Sequence, residues 1–445
     1  MIKFIKKIYL NNRFFLYIII NIFILIMGNF LNLFFIIGKL AIIIFAVLVL
    51  LDILLIFNNS KKVLLANRNS PQRLSNGDDN YIKISVKSNF AIPIKIKIID
   101  EIPHQFQVRD FEIIDNLSPK QEKNYEYTLH PVERGEYSYG KLNIYVRTKL
   151  GLISKRFVFS ENVEVPVYPS FITMRKYELL AISNKLTEAG IKKIRKISNN
   201  NEFEEIREYV KGDDFKTINW KATARRMHLM VNQYQDEKSQ QVYNIIDMGR
   251  TMKMPFDKMS LLDYAINSSL IISKIAILKK DKAGLITFSK NIHNVVSSSR
   301  KNTQMTTILQ TLYKQDTNFL EANYELLYTS VRKNITKRSL LLLYTNFEGL
   351  TSLERQLKYF KLLAKNHLLV VIFFENTEVK KILKNSAKST EEIYIQTIAE
   401  QFAYEKKQII KELKKYGIHA ILTEPKNLTV NTINKYLQLK SAGLI

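Results

Sequence analysis

The sequence contains no cysteine and only one tryptophan among its 445 residues. The absence of cysteine excludes disulfides, thiolate metal sites and cysteine nucleophiles, and it makes a reducing compartment the simplest location. A single hydrophobic core stops growing at roughly 250 to 300 residues, so a chain of this length is expected to form two or three folded units.

Sequence patterns typical of catalysis are also missing. No Gly-x-Ser-x-Gly elbow, phosphate-binding loop or paired-acid motif occurs, and the histidines are scattered without the spacing of metal ligands. The six histidines are His104, His130, His228, His293, His367 and His419. We therefore predict no catalytic residues and no enzymatic activity.

Acidic residues are fewer than basic ones, 41 against 67, which gives a formal net charge of +26. Such an excess is compatible with nucleic acid, with an anionic membrane surface, or with a lysine-rich composition alone. The basic residues are spread along the chain and do not form a tract with interleaved aromatics, so we expect no nucleic-acid partner. Attraction to an anionic membrane needs no such tract.

Residues 14 to 57 form an almost uninterrupted apolar run. A helix needs about 20 residues to cross the hydrocarbon of a bilayer, so this run has room for two spans. We place the spans near 14–30 and 33–57, with a turn at Gly28, Asn29 and Asn32. The core is too long for a signal peptide and lacks a small-residue cleavage site. Residues 1–60 are thus predicted to form a transmembrane hairpin.

Basic residues flank both predicted spans: Lys3, Lys6, Lys7 and Arg13 before the first, and Lys61, Lys62, Arg68 and Arg73 after the second. Because basic flanks stay in the cytoplasm, we predict a multi-pass protein of the cytoplasmic membrane with its soluble domains in the cytoplasm. Lys39 is expected to reach the headgroups, and Asp52 is expected at the membrane interface instead of being buried.

Residues 61–172 show apolar side chains at every second position, for example Ile82, Ile84 and Val86. Alternation of this kind, interrupted by turn signals such as "SNGDDN" and "NLSPKQ", predicts about seven short strands and a small β-sandwich. We see no cluster of titratable residues there, so binding or spacing is a better interpretation than chemistry.

Residues 173–238, the signature segment, contain "FEEIREYVKGDDFKTINWKATARRMHLM". Gly212 is expected to break the first element, and Asp213 or Asp214 can cap backbone N–H groups. Trp220 either anchors the segment to the following domain with an arginine over its ring, or belongs to an exposed docking surface. The residues singled out are Arg207, Tyr209, Gly212, Asp213, Asp214, Trp220, Lys221 and Arg225.

Residues 239–445 alternate apolar strands such as "QVYNIID" and "NHLLVVIFFE" with amphipathic helices. Near-continuous apolar strands joined by helices predict a largely parallel sheet covered on both faces. Ligands of such sheets lie beyond the carboxyl ends of the strands, which places Asp247, Thr251 and Asn346 at one crevice.

Several blocks of the sequence match one known family. They are "REYVKGDDFKTINWKATAR" at 207–225, "RGEYSYG" at 134–140, "GL" followed by "VPVYPSF" around 151–171, "RSLLLLYTNF" at 338–347 and the tail "YLQLKSAGLI". On these blocks the chain resembles the bacterial domain-of-unknown-function family 58, whose core is similar to a von Willebrand factor A-type domain. The resemblance spans the whole chain and implies a doubly wound α/β sheet after the sandwich and the hairpin.

A-type domains hold a divalent cation with Asp-x-Ser-x-Ser after the first strand, a loop threonine and a later aspartate. By this resemblance Asp247, Thr251 and Thr317 would be ligands of Mg²⁺ or another divalent cation, which prefers hard oxygen ligands. The chain departs from the pattern at Gly249, which has no side chain, and at Asn346, which stands where the aspartate belongs. One carboxylate of two remains, so any cation is expected to bind weakly.

The resemblance also implies a protein partner, a MoxR-type AAA+ ATPase, and an envelope-related client. We therefore predict a membrane-anchored, non-enzymatic adaptor in which Arg250 meets an acidic partner residue if no metal does so. The expected partner-binding residues are Asp247, Gly249, Arg250, Thr251, Thr317 and Asn346. Two rival hypotheses are a metal-dependent hydrolase and a nucleic-acid-binding membrane protein.

Overall fold

The computed structural model describes residues 8–57, 63–160, 163–183, 185–192, 202–210, 213, 215–235, 239–301, 303–384 and 389–445. The predictions for Gly212, Asp214 and the flanking lysines at 3, 6, 7, 61 and 62 lie outside these residues. The chain divides into two compact units, Met1–Tyr168 and Pro169–Ile445.

Two apolar helices open the first unit: α1, Asn12–Met27, and α2, Asn32–Phe57. A Cβ at Gly38 would lie 2.6 Å from Leu25 Cδ2, so glycine at this position allows the two helices to approach closely. Near the N-terminus, Leu33–Phe57 is long and apolar enough to cross a membrane, and Asn12–Met27 is a shorter apolar helix.

Asp52, on α2, is buried within the protein, so the expectation that it is not buried is wrong. Its carboxylate accepts hydrogen bonds from the Thr148 hydroxyl and from the backbone N–H groups of Leu152 and Ile153, the latter two at 3.0 Å. The cost of burying a carboxylate is offset by these three donors, which only the folded β-domain supplies. Asp52 therefore joins α2 to residues 148–153.

The remainder of the first unit is mostly β-structure. Its strands are β1 (Ile8–Leu10), β2 (Leu64–Asn69), β3 (Leu74–Ser75), β4 (Asn80–Ser88), β5 (Ile94–Asp100), β6 (Ile113–Leu117), β7 (Glu122–Leu129), β8 (Gly135–Tyr139), β9 (Leu142–Arg147), β10 (Ile153–Phe159) and β11 (Val163–Tyr168). They form sheets of order β1-β10-β9-β5-β6, β2-β4-β7 and β3-β11-β8. Alternate side chains such as Ile84, Ile96 and Ile144 share one core, and this confirms a β-sandwich-like region.

The sandwich contains a buried cluster of titratable groups, contrary to the sequence prediction. Arg68 Nη1 lies 2.7 Å from Asp100 Oδ1, and both side chains are almost completely covered. Tyr127 donates its hydroxyl to Asp100 Oδ2 at 2.6 Å, and burial raises the Tyr127 pKa. The three residues come from different strands and lie far apart in sequence, so no local pattern signals the cluster. Arg68 is thus part of the core of the sandwich.

The described residues of the second unit form ten strands. They are β12 (Glu202–Glu208), β13 (Met230–Gln235), β14 (Gln241–Asp247), β15 (Pro255–Phe256), β16 (Met259–Ser260), β17 (Lys282–Phe288), β18 (Ile292–Ser299), β19 (Leu340–Tyr344), β20 (Leu368–Phe374) and β21 (His419–Thr423). Six of them form one sheet of order β18-β17-β14-β19-β20-β21. The five predicted strands pair in parallel, and β18, which the sequence prediction missed, adds an antiparallel edge.

Helices cover both faces of this sheet. The described helices of the second unit are α3 (Phe171–Ile182), α4 (Trp220–Arg226), α5 (Leu261–Leu278), α6 (Gln304–Tyr313), α7 (Tyr324–Asn334), α8 (Leu350–Asn366), α9 (Thr377–Lys384), α10 (Thr390–Lys415) and α11 (Leu428–Ser441). Val242 and Ile246 of β14 pack into one core with α5, whereas Tyr243 and Ile245 pack into the opposite core with α8. Helix α5 is also long and apolar enough to span a membrane, but most of it is buried in this unit.

The C-terminal helix is held by a buried carboxylate. Asp281, just before β17, accepts hydrogen bonds from the Tyr436 hydroxyl at 2.5 Å and the Lys440 ammonium at 2.8 Å. Both donors lie in the tail block "YLQLKSAGLI", so part of that block serves to fasten α11 to the sheet.

Candidate functional site

The carboxyl ends of β14 and β19 lie side by side, as their parallel register requires. The chain beyond these ends forms a crevice, and Asp247, Arg250, Thr251 and Asn346 all line it. Parallel strands deliver the residues that follow them to a common edge, which is the physical basis for this grouping.

Asp247 lies at the base of the crevice and is 1% exposed. Its Oδ1 accepts the Gly249 backbone N–H at 2.7 Å, and its Oδ2 accepts the hydroxyls of Thr345 at 2.7 Å and Tyr324 at 2.8 Å. Burial raises the pKa of Asp247, while these three donors act in the opposite direction. Both carboxylate oxygens are therefore occupied within the protein.

Gly249 fits where a larger residue would not. A Cβ at this position would lie 2.9 Å from Asp247 Oδ1 and 3.1 Å from both the Leu320 carbonyl oxygen and Ala322 Cβ. The Leu320 carbonyl oxygen belongs to the backbone and Asp247 Oδ1 is buried, so neither atom can move aside easily. A side chain at position 249 would therefore push the turn at residues 250–252 away from the sheet. Gly249 thus has a packing role in addition to its predicted place at the crevice.

Each of the two candidate threonines takes part in one hydrogen bond near the crevice. The Thr317 hydroxyl donates to Met248 O at 2.9 Å, and the Thr251 carbonyl oxygen accepts Asn346 Nδ2 at 3.4 Å. Thr317 therefore supports the turn after β14, and its oxygen is directed to Met248 and not to Asp247.

A lysine side chain from α10 binds the side-chain oxygen of Asn346. The Lys406 ammonium, on α10, donates to Asn346 Oδ1 at 3.0 Å and to the Phe347 carbonyl oxygen. Burial lowers the pKa of Lys406 to about 8, and the charge of Glu348 opposes that shift. The amide oxygen that stands in place of the expected aspartate is thus already bound to a cation of this chain.

These contacts do not fit a divalent cation. Mg²⁺ needs several free oxygen ligands in a near-octahedral arrangement. Asp247 already accepts hydrogen bonds from three donors, Asn346 Oδ1 faces an ammonium, and the described residues contain no group of three His, Cys, Asp or Glu side chains placed to hold a metal. We derive no chemistry from a metal here.

Charged side chains of both signs line the crevice mouth. Arg250 Nη2 lies 3.3 Å from Glu348 Oε1, and Arg355 Nη1 lies 4.0 Å from Glu321 Oε1. All four side chains are well exposed, so each pair can exchange its partner for an external charge at little cost.

The sequence prediction missed several residues of this site: Glu321, Tyr324, Thr345, Glu348, Arg355 and Lys406. Thr345 and Glu348 lie within two residues of Asn346, which the sequence analysis names. Their position just after β19 could have identified them. Tyr324 and Lys406 reach the site from α7 and α10, and nothing in their local sequence signals this.

The signature segment forms a small hairpin, β12 paired with β13, with α4 between the strands. Arg207 makes a bidentate ion pair with Asp213, at 2.9 and 2.6 Å, and Asp213 Oδ2 also accepts the Val210 N–H. The Tyr209 ring stacks on Phe215 at 5.7 Å. These contacts agree with internal pairing of the carboxylates and with a capping role for Asp213.

Trp220 is not the buried anchor that one of the two sequence interpretations required. Its side chain is 69% exposed at the first turn of α4, and Lys221 and Arg225 are exposed beside it. The alternative, an exposed basic and aromatic surface, is the one that agrees with these positions.

Comparison with known proteins gives a family match for part of the chain. The model of the family described as "Protein of unknown function DUF58" matches residues 205–382. These residues include Trp220, the crevice turn after β14 and Asn346, but not Lys406. The Bacillus subtilis protein YeaD, described as uncharacterized, is 25% identical over 183 residues, which cover 39% of this chain and 45% of that protein.

Two crystal structures are also similar over about half of the chain. BatB from Bacteroides thetaiotaomicron has 14% identity and a TM-score of 0.29, and the alignment covers 46% of this chain and all of BatB. An aerotolerance-related membrane protein from Bacteroides fragilis has 13% identity and a TM-score of 0.27, with coverage of 45% and 99%. At these values the likenesses carry no argument about function.

Proposed function

We propose that this chain is a membrane-anchored, non-enzymatic adaptor that binds an acidic segment of a protein partner at the crevice. The observation that carries the proposal is that Asp247 is buried and both of its oxygens already accept hydrogen bonds. A carboxylate whose two oxygens already accept three hydrogen bonds is a poor general base, whereas Arg250 and Arg355 at the mouth are exposed and exchangeable. This arrangement favours recognition over turnover.

The proposed fold of the second unit is a von Willebrand factor A-like doubly wound sheet. A parallel sheet with helices on both faces, and an aspartate directly after its central strand β14, supports this assignment. The partner we propose on the family resemblance is a MoxR-type AAA+ ATPase, with an envelope-related client. Binding would not need a divalent cation, because Arg250 supplies a positive charge.

The proposed anchor is a hairpin of two membrane spans with both ends in the cytoplasm. At 1.5 Å per residue the 26 residues of α2 extend about 39 Å and the 16 residues of α1 about 24 Å, so α2 crosses the hydrocarbon readily and α1 requires local thinning of the bilayer. Protease added to intact spheroplasts should leave residues 63–445 uncut; cleavage from outside contradicts the orientation.

The adaptor proposal is tested by changing the two ends of one exposed ion pair. Arg250→Glu should abolish recovery of the ATPase from solubilised membranes, since an acidic partner segment would then meet a like charge. Glu348→Gln should increase recovery, because Arg250 loses its internal competitor. Arg250 Nη2 and Glu348 Oε1 are only 3.3 Å apart. Opposite effects of the two substitutions on recovery of the ATPase would therefore not arise from general damage to the fold.

The matched control is Arg332→Glu, which makes the same charge change at an exposed position near the end of α7. Recovery should be unaffected. Equal recovery with Arg250→Glu and with wild type overturns the proposed role of the crevice.

A further inference from the structure

The signature segment exposes several large apolar side chains. Phe215 is 71% exposed, Trp220 69%, Met227 91% and Leu229 44%. Isolated exposed apolar residues are normal on protein surfaces, but four within fifteen residues form a patch that requires an explanation.

The same stretch is strongly basic. Residues 215–229, "FKTINWKATARRMHL", contain Lys216, Lys221, Arg225 and Arg226 and no acidic residue. Asp213, just before this stretch, is held by Arg207 at 2.6 Å. Lys221, Arg225 and Arg226 are exposed beside the apolar side chains, so the occupant of the patch should be anionic with an apolar interior.

The backbone that carries the patch is well ordered by local contacts. Asn219 Oδ1 caps α4 by accepting the Ala222 N–H at 3.0 Å, and the Thr223 hydroxyl accepts the Met230 N–H at 2.9 Å. These bonds hold α4 to β13. Trp220 is the first residue of α4, and Met227 follows its last residue as the C-cap.

We infer that this surface, the basic aromatic patch of Phe215, Trp220, Met227 and Leu229 with Lys221, Arg225 and Arg226, binds the anionic surface of the lipid bilayer. Tryptophan is enriched at the membrane interface because its ring is apolar and its N–H is polar. Lysine and arginine beside it are attracted by anionic headgroups. The patch would make a second, peripheral membrane contact in addition to the helices.

A bilayer fits these observations better than a folded protein does. Side chains that are 69 to 91% exposed project from the surface, and a protein partner would need pockets matched to each of them. Lipid takes up projecting side chains without such pockets. The inference rests on the proposed membrane anchor, since a tethered chain keeps the patch at a high effective concentration near the bilayer.

The single tryptophan makes the test direct, because the intrinsic tryptophan fluorescence of the full chain comes from Trp220 alone. The full chain is reconstituted into vesicles of phosphatidylcholine and into vesicles of phosphatidylcholine with phosphatidylglycerol. In anionic vesicles the emission should shift to the blue and should be quenched by brominated lipid. The shift should be absent in neutral vesicles and should reverse at high salt.

The variant Lys221→Gln/Arg225→Gln/Arg226→Gln should lose the shift while keeping the apolar side chains. The matched control, Arg332→Gln/Lys333→Gln/Lys337→Gln, removes the same charge from exposed positions elsewhere and should retain it. Emission that is blue-shifted in both vesicle types but not quenched by brominated lipid would mean that protein covers the indole, and it overturns the inference.

Flotation of the vesicles separates this inference from the proposed anchor. A chain that floats with neutral vesicles but gives the same emission in both lipids has an anchor and no lipid-binding patch. A chain that does not float with neutral vesicles has no anchor. Anionic vesicles are then added to this chain: a blue shift of the Trp220 emission shows that the patch binds lipid, and its absence shows that the patch does not.

Discussion

The ammonium group of Lys406 lies against the loop that follows β19. Its ammonium donates to Asn346 Oδ1 and Phe347 O, and burial lowers its pKa from the usual 10.5 to about 8. At this position the protein holds a cation of its own, and its charge depends on pH.

The first prediction concerns this pH dependence. Between pH 8 and 10.5 the unfolded chain binds a proton at Lys406 that the folded chain has lost, so the free energy of unfolding should rise with pH in this window. The rise should be at most about 3 kcal/mol, from the difference between the two pKa values. Below pH 8 Lys406 is protonated in both the folded and the unfolded chain. The full cost of burying its charge then lowers the free energy of unfolding.

Denaturant unfolding of wild type and Lys406→Met in detergent measures the effect. The variant keeps the aliphatic stem but cannot titrate, so its stability relative to wild type should decline from pH 8 to 10.5. Lys365→Met, on an exposed position of α8, controls for other groups that titrate there. Parallel pH profiles for wild type and Lys406→Met would show that the Lys406 pKa is not lowered.

At the scale of elements, one buried ion pair joins strands of opposite sheets in the sandwich. Arg68 ends β2 and Asp100 ends β5, and Tyr127 of β7 completes the cluster. The ring of Tyr139 also lies 4.6 Å from the Arg68 guanidinium. Removing one member leaves an uncompensated buried charge, which is more costly than removing both.

The second prediction follows from this asymmetry. Arg68→Met and Asp100→Leu should each lower the free energy of unfolding by about 3 to 5 kcal/mol, and the double variant should lose less than the sum. A double-mutant cycle by denaturant unfolding measures the coupling. The exposed pair Lys87–Glu122, at 3.4 Å, is the control and should contribute less than about 1 kcal/mol. Additive losses at Arg68 and Asp100 would contradict the prediction.

Elements with a strong hydrophobic pattern were predictable from the sequence. The alternation around Ile82 and Ile84 identifies β4, and the uninterrupted apolar runs identify β14, β17, β19 and β20, because burial on one or both faces imposes these patterns directly. Strand β18 was missed because it is an edge strand, only half-buried, and rich in serine.

Polar contacts were not predictable in the same way. The aspartate at the end of β14 follows from the strand pattern, but its donors Tyr324 and Thr345 depend on how α7 and β19 are packed. Lys406 reaches Asn346 across 60 residues, and Asp52 reaches Ile153 across 101. Such pairs are decided by tertiary geometry, for which a single sequence carries no periodic signal.

At the scale of the whole first unit, the apolar helices and the sandwich are fastened together. Asp52 accepts two backbone N–H groups from residues 152 and 153, and β1 pairs with β10 just before α1 begins. Asn11 adds a side-chain bond to Gly151 O at 3.1 Å. The "GL" of the family block thus lies at the junction between helices and sandwich.

The third prediction tests this junction. Asp52→Leu should destabilise the first unit by about 1 to 3 kcal/mol for each N–H left without an acceptor. Thermal unfolding in detergent, together with the rate of proteolysis between α2 and β2, measures the loss. Leu50→Ala, which changes an exposed residue of the same helix, should have a much smaller effect. Equal melting of the two variants would show that Asp52 does not join the helix to the sandwich.

The junction at Asp52 also has a mechanical consequence. A slack linker would absorb any pull on the sandwich, but here the pull is transmitted through three hydrogen bonds to one carboxylate and then along the axis of α2. A motor protein that pulled on the sandwich would therefore tilt or shift α2. Lateral pressure on α2 would in turn be transmitted to the sandwich.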